Sequence, residues 1–259
     1  MNVLRILRSG AKLQLGHLAT DRLMLFGVIV QPFFIAVTVM FMLRHRPDFD
    51  PVYVVIGSAV SGLWSTVLFS GTWIIGSERW LGTLELVAGS PPPLMLIFAA
   101  RLLGTMAYSL LSLVLNYTVG AWLFGYELGL RDPAGFLVSL PLALFALWCV
   151  GVLLAPIGVL WRPVARFLTI LEYPVFMLGG FMFPILLMPA WSNGISYALP
   201  PYWAAEALHA TSSGTTQWAS LAAVWAALLA TSLATLAMAV PFYALVLRRA
   251  RRAGTLALT

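Results

Sequence analysis

Charged residues are scarce in this chain. Only 9% of its 259 residues are Asp, Glu, Lys or Arg, against about 25% in an ordinary soluble domain. So few charges cannot cover the surface of a soluble protein of this length, which excludes that class. Lysine is nearly missing: fourteen of the fifteen basic residues are arginine, and Lys12 stands alone in Gly10-Ala11-Lys12-Leu13. A phosphate-cradling P-loop requires G-x-x-x-x-G-K-[ST], so ATP hydrolysis by that route is not expected. The single cysteine, Cys149, lies in an apolar stretch, cannot form an internal disulfide and reads as a small packed residue. The three histidines, His17, His45 and His209, fall in segments expected to be interfacial or loop. They form no H-E-x-x-H zinc pair, and no serine has a span-embedded histidine for nucleophilic work. An acid-rich metal motif of the phospholipid head-group transferase kind is also missing. The chain is therefore not expected to be an enzyme, or to hold a metal, a cofactor or nucleic acid.

What it has in quantity is apolar length: 61% of residues are hydrophobic and mean hydropathy is +0.93. A transmembrane helix needs roughly 20 such residues. Six spans are expected, at about 24–43, 52–75, 95–124, 134–159, 167–187 and 217–247. The third and sixth exceed one crossing, so their cytoplasmic ends project or tilt. Breaks rich in charge, proline or glycine separate the spans at 44–51, 76–93, 126–133, 161–166 and 188–216. Residues 1–20 read as an amphipathic interfacial helix: Leu4, Leu7, Ala11, Leu15 and Leu18 recur at helical spacing, with Arg5, Arg8 and Lys12 on another face. The first 23 residues have no uninterrupted apolar core, so a cleaved signal peptide is not expected. Together these features predict an all-α membrane protein with a single transmembrane domain over 1–259 and a basic tail at 248–259.

Arginine placement orients the spans. With both termini inside, twelve Lys and Arg residues lie on the inner face: Arg5, Arg8, Lys12, Arg22, Arg79, Arg101, Arg162, Arg166 and the four at 248–252. Arg44, Arg46 and Arg131, three in all, lie outside, accompanied by Asp48, Asp50 and Asp132. Both termini are therefore expected in the cytoplasm, with the chain in the cell (plasma or inner) membrane.

The stretch Gly76–Pro91 carries the most information. Ser77 suits the cap of a short helix, with Glu78 near its positive end. Leu81, Leu84 and Val87 or Ala88 make an apolar stripe, and Gly89-Ser90-Pro91-Pro92-Pro93 stops it. Such a helix, held over 77–90 between two spans, suits docking of a soluble partner.

This run, Glu78-Arg79-x-x-Gly82-Thr83-Leu84-Glu85 followed by Ser90-Pro91, resembles the E-R-x-x-G-T-L-E-x-L-x-x-S-P signature of ABC-2 type transporter permeases. The basic amphipathic N-terminal helix, the six spans and the proline- and aromatic-rich outer segment resemble that family too. The resemblance implies the transmembrane subunit of an ABC exporter of the drug- and antibiotic-resistance kind, moving a hydrophobic or lipid-like substrate by alternating access. ATP and Mg would bind a separate ATPase subunit, and a second permease copy or paralogue would complete the complex. Glu78, Arg79, Gly82, Thr83, Leu84 and Glu85 would form the coupling helix seated on that ATPase. Trp80-Leu81 is bulkier than is usual in the family at those positions. A glycan or lipo-oligosaccharide exporter is the alternative within the family.

Outside the family, the alternative is a secondary carrier, which needs a proton or sodium relay near the bilayer centre. The one acid within a span, Glu172, is expected near an end, and no internal repeat supports an inverted-repeat carrier. Glu172 is open to pairing with Arg166 or Arg162, or to contact with substrate or the coupling helix. Arg101 is expected to snorkel to lipid head groups, and Gln31 and Asn116 to bond between helices. In span five, Phe176 and Phe181 with Gly179, Gly180, Phe183 and Pro184 either line a path for apolar cargo or pack and face lipid. Met188–Thr216 is too apolar for a free loop and too broken for a span, so short re-entrant or interfacial helices are expected there. Trp191, Pro200, Pro201, Tyr202 and Trp203 are candidates for an outer gate, or anchors in the aromatic belt.

Overall fold

The computed structural model describes residues 2–20, 22–43, 51–124, 130–157, 164–181, 185, 188–213 and 217–253. The side chains of Gln31, Arg79, Glu85, Asn116 and Arg166, and Arg162, Phe183 and Pro184 entirely, lie outside the described residues. The described chain is all helical: α1 (Val3–Thr20), α2 (Arg22–Leu43), α3 (Pro51–Trp80), α4 (Leu84–Ala88), α5 (Leu94–Phe124), α6 (Pro133–Leu154), α7 (Val164–Leu178), α8 (Ala190–Ala198), α9 (Pro200–Ser213) and α10 (Trp218–Ala253). Proline sets several starts because its fixed φ and missing N–H suit the first turn. At α6, Asp132 caps Pro133 and accepts from the Gly135 N–H at 2.9 Å. At α9, Leu199 is extended, as a residue before proline prefers.

Among the described residues, four helices are long and apolar enough to cross a membrane: Pro51–Glu78, Leu94–Leu115, Pro133–Leu154 and Trp218–Arg249. They give the chain its membrane-spanning character. Of the fifth span expected over 167–187, the structure describes α7 up to its end at Leu178, while 182–184, 186 and 187 lie outside the described residues. The helix ends there for a local cause. The cause is Gly180, whose φ of +64 ends the helix. The Gly180 N–H donates to the Met177 carbonyl and the Phe181 N–H to that of Phe176, the two bonds of a Schellman cap. Its usual apolar contact is present as well, with the Phe176 and Phe181 rings 5.9 Å apart.

The bundle is built around α3, most of whose spanning residues are buried, whereas most of those described on α10 are not, so α10 lies at the rim. The larger core joins Val60, Leu63, Trp64 and Val67 of α3 to Ala146 and Leu147 of α6, Ala204 and Leu208 of α9 and Leu228 of α10. Of the buried hydroxyls on α3, those of Ser58, Ser61 and Thr66 donate to carbonyls three or four residues back. A second cluster forms around Ile74, Ile75, Leu84, Phe98, Leu102 and Val152. Helices α6 and α10 run side by side from the same end, joined near their starts by the Trp225 indole N–H donating to Ser139 Oγ at 2.9 Å.

Helix α1 is packed, not free. A Cβ added at Gly10 would lie 2.6 Å from Ala100 Cβ, and one at Gly104 would run into the Ala11 carbonyl. Small residues thus let α1 cross α5 at backbone contact. Its buried residues are Gln14 and Leu18, whereas Leu4 and Leu15 of the expected stripe are exposed.

Candidate functional site

The turn between α3 and α5 is held by its own sequence. Expected as one helix over 77–90, it is divided. Ser77 through Trp80 continue α3, and α4 covers only Leu84–Ala88. Ser77 does not cap a new helix, since its hydroxyl donates to the Ile74 carbonyl within α3. Gly82 makes the break at φ +69, and the Thr83 N–H reaches back to the Glu78 carbonyl at 2.9 Å. That bond is the long one of a second Schellman cap. In physical terms, the Gly-Thr pair of the signature ends one helix and starts the next.

Glu78 faces inward. Its carboxylate accepts from Arg101 Nη1 of α5 at 2.5 Å, with the two side chains 13% and 4% exposed. It also accepts from the Thr83 hydroxyl, while Arg101 Nε donates to Gln14 Oε1 of α1 at 3.0 Å. Arg101, expected to snorkel outward, is instead the buried hub joining α1, α3 and α5. Charge-assisted hydrogen bonds in such a dry place are strong and directional. Leu84 plugs the second core cluster beneath the turn. The faces left outside are Leu81, 59% exposed, and Leu86, 74% exposed. The structure therefore brings together Glu78, Gly82, Thr83 and Leu84 as an anchor, and puts the two leucines outward; Arg79 and Glu85 extend beyond the described side chains.

At the other end of the bundle, the gate candidates divide. Pro200, Pro201 and Tyr202 are buried, Trp203 is half-buried with its indole N–H donating to the Tyr197 carbonyl, and Trp191 faces outward. The rings of Tyr197, Tyr202 and Trp203 lie 5.0–5.8 Å apart. Helix α9, which carries them, is wedged among α3, α6 and α10, and its end holds the start of α6 through Asp132 N–H to Thr211 carbonyl.

The residue missed at this end is His209. It is buried in α9, its ring stacked on Tyr53 of α3 at 3.7 Å. Its Nε2 is 3.0 Å from the Phe181 carbonyl, an oxygen that only accepts, so Nε2 carries the proton. Desolvation holds its pKa down at about 4, against a smaller opposing effect of that hydrogen bond. One turn earlier Glu206 emerges at the surface from apolar surroundings that raise its carboxyl pKa, and the same burial, with Glu206 and Tyr197, pushes Tyr202 up to about 12.

Between these ends sits Glu172. It is 2% exposed and accepts a hydrogen bond from Ser65, which falls halfway along the Pro51–Glu78 window. Glu172 is thus level with the middle of a spanning helix rather than near an end. Phe181, a candidate for the cargo path, is fully buried in the main core, and Phe176 is partly buried against it. Among the described residues no group of three His, Cys, Asp or Glu side chains is placed to hold a metal.

No protein-family model matches the chain, and no curated protein does.

Proposed function

We propose that this chain is the transmembrane subunit of an ATP-driven exporter of the ABC-2 kind, carrying a hydrophobic drug, antibiotic or lipid-like molecule out through the cell membrane. In this reading both termini are cytoplasmic, α2 and the α7 region complete six crossings, and α8 and α9 form a re-entrant outer gate. A separate ATP-binding cassette subunit binds ATP and Mg and supplies the energy, and a second permease chain completes the path.

The observation that carries the reading is the α3–α5 turn. A soluble motor can move spans only through a rigid lever. Here a Schellman cap, a buried ion pair and the Leu84 plug fix that lever to α1, α3 and α5 together, with Leu81 and Leu86 projecting from it. Exposed leucines on a turn held this way are the sort of anchors that fill a partner's pocket. Purifying the tagged chain in mild detergent with mass spectrometry tests this. A stoichiometric P-loop ATPase is expected, and a chain that elutes alone even after crosslinking overturns it.

One observation favours a secondary carrier as the second reading: Glu172 at the level of mid-α3, where a proton relay is best placed. Liposomes holding the chain alone separate the two. Cargo movement driven by a pH gradient without any ATPase, and lost in Glu172→Gln, selects the carrier.

A further inference from the structure

Helix α10 is longer than its neighbour. Its 36 residues reach about 54 Å, while α6, beside it and running the same way, ends at Leu154 after 22 residues, or about 33 Å. Ala239, Tyr243 and Val246 of α10 continue into the second core cluster, and on another side of α10, where α6 ends, a pocket lies between the two helices. Leu153 and Ile157 line it from the end of α6, and Met238, Pro241, Phe242 and Leu245 from α10; its volume is about 520 Å³. That falls within the roughly 300–1,000 Å³ of ordinary ligand sites, and the walls are almost wholly apolar.

The same face of α10 changes character at the next turn. Positions 238, 241, 242 and 245 recur at helical spacing, and 248, 249 and 252 continue the stripe. These last three are Arg248, Arg249 and Arg252, all exposed. The arginines begin about 5 Å beyond Leu245, and a cluster of cations closing an apolar helix belongs at a membrane surface. A fat-soluble slot that leads directly into a cationic cluster at a membrane boundary matches one kind of molecule, with an apolar tail and an anionic phosphate head.

We propose that the α6–α10 pocket with Arg248 and Arg249 is a binding site for an anionic diacyl phospholipid of the leaflet at that end of α10. One acyl chain lies between Ile157 and Phe242, and the phosphodiester meets the guanidinium groups. The lipid fills this pocket and ties the end of α10 to that of α6. The site rests on the spanning character of α10 and not on the ATPase. Failure to recover an ATPase leaves it standing, and failure of the lipid site leaves the exporter reading standing.

Native mass spectrometry of the detergent-solubilised chain, given equal phosphatidylglycerol and phosphatidylcholine, tests it. Retained phosphatidylglycerol in clear excess is expected, falling roughly fivefold for each of Arg248→Gln and Arg249→Gln. Leu153→Trp, which fills the slot and leaves the arginines intact, is expected to release the lipid. Arg5→Gln/Arg8→Gln, on α1, leaves the preference unchanged, and millimolar inorganic phosphate does not displace the lipid. Equal retention of the two lipids, or a preference that survives the Arg248/Arg249 double variant, overturns the proposal. So does displacement by phosphate alone. If Leu153→Trp does not fold, the arginine series decides.

Discussion

Glu78 and Arg101 are 23 residues apart in the chain, and their side chains meet at 2.5 Å under the turn that follows α3. The acid belongs to the recognisable run of the sequence, and the base to the first turns of α5. A buried pair of this kind is weak evidence of net stability, because desolvating two ions costs about what their attraction returns. Breaking it is another matter.

Glu78→Ala leaves the Arg101 guanidinium buried without its anion, which costs about 3–5 kcal/mol. The double variant Glu78→Gln/Arg101→Met removes both charges and is expected to recover most of that loss. Thermal unfolding in detergent across the cycle reads it directly. Losses in the two single variants that simply add in the double show that the pair is not coupled.

Gly82 sits in the left-handed region with nothing within 4 Å of where a Cβ would go. Strain alone decides the outcome there. Gly82→Ala is expected to cost about 1–2 kcal/mol, and Gly82→Asn less, since asparagine tolerates that conformation. Gly76→Ala has equally open space in regular helix and is expected to be neutral or slightly stabilising. The melting temperatures of the three variants check this order.

His209 is held neutral by burial, its pKa lowered from 6.5 to about 4. A depressed histidine binds fewer protons folded than unfolded, so stability rises with pH between these values. The contribution is complete above about 6.5 and is lost as pH falls toward 4, at most about 3 kcal/mol. The groups against the ring are Tyr53, stacked on it, and the Phe181 carbonyl at Nε2. His209→Gln is expected to flatten unfolding between pH 6.5 and 4. An unchanged slope in that variant assigns the acid sensitivity elsewhere.

Much of this architecture is legible in the sequence because lipid-compatible helices need long apolar blocks and prolines mark where they begin. Pro51, Pro133 and Pro200 each open a helix. The end of α7 is not legible. Apolar residues run on past Gly180 to Met188, and nothing in their composition shows that one glycine adopts a positive φ. His209 is missed for a different reason. Thr211 and Ser212 after it resemble a loop, yet their hydroxyls donate to carbonyls of their own helix, which lets a polar segment be buried. Glu172 and Arg101 are visible as isolated charges, but their partners Ser65 and Glu78 are set by packing between helices, which no spacing rule encodes.

The crossing of α1 over α5 depends on Gly104, where a Cβ collides with the Ala11 carbonyl. Gly104→Val is expected to lift α1 from the bundle and break the Gln14–Arg101 bond. Limited trypsin digestion then cuts faster at Arg8 and Lys12, whereas Gly16→Val, with open space around it, leaves the digestion rate as in the parent. Equal rates in all three proteins contradict the close crossing.

The most direct measurement is co-purification of a P-loop ATPase with the tagged chain, compared between the parent and Leu81→Arg/Leu86→Arg. Both leucines are exposed, so the variant is expected to fold and melt like the parent. The account predicts that the parent retains the ATPase and the variant loses it. An ATPase still bound at full stoichiometry in a folded variant contradicts docking at this turn, and none bound to the parent contradicts the exporter assignment itself.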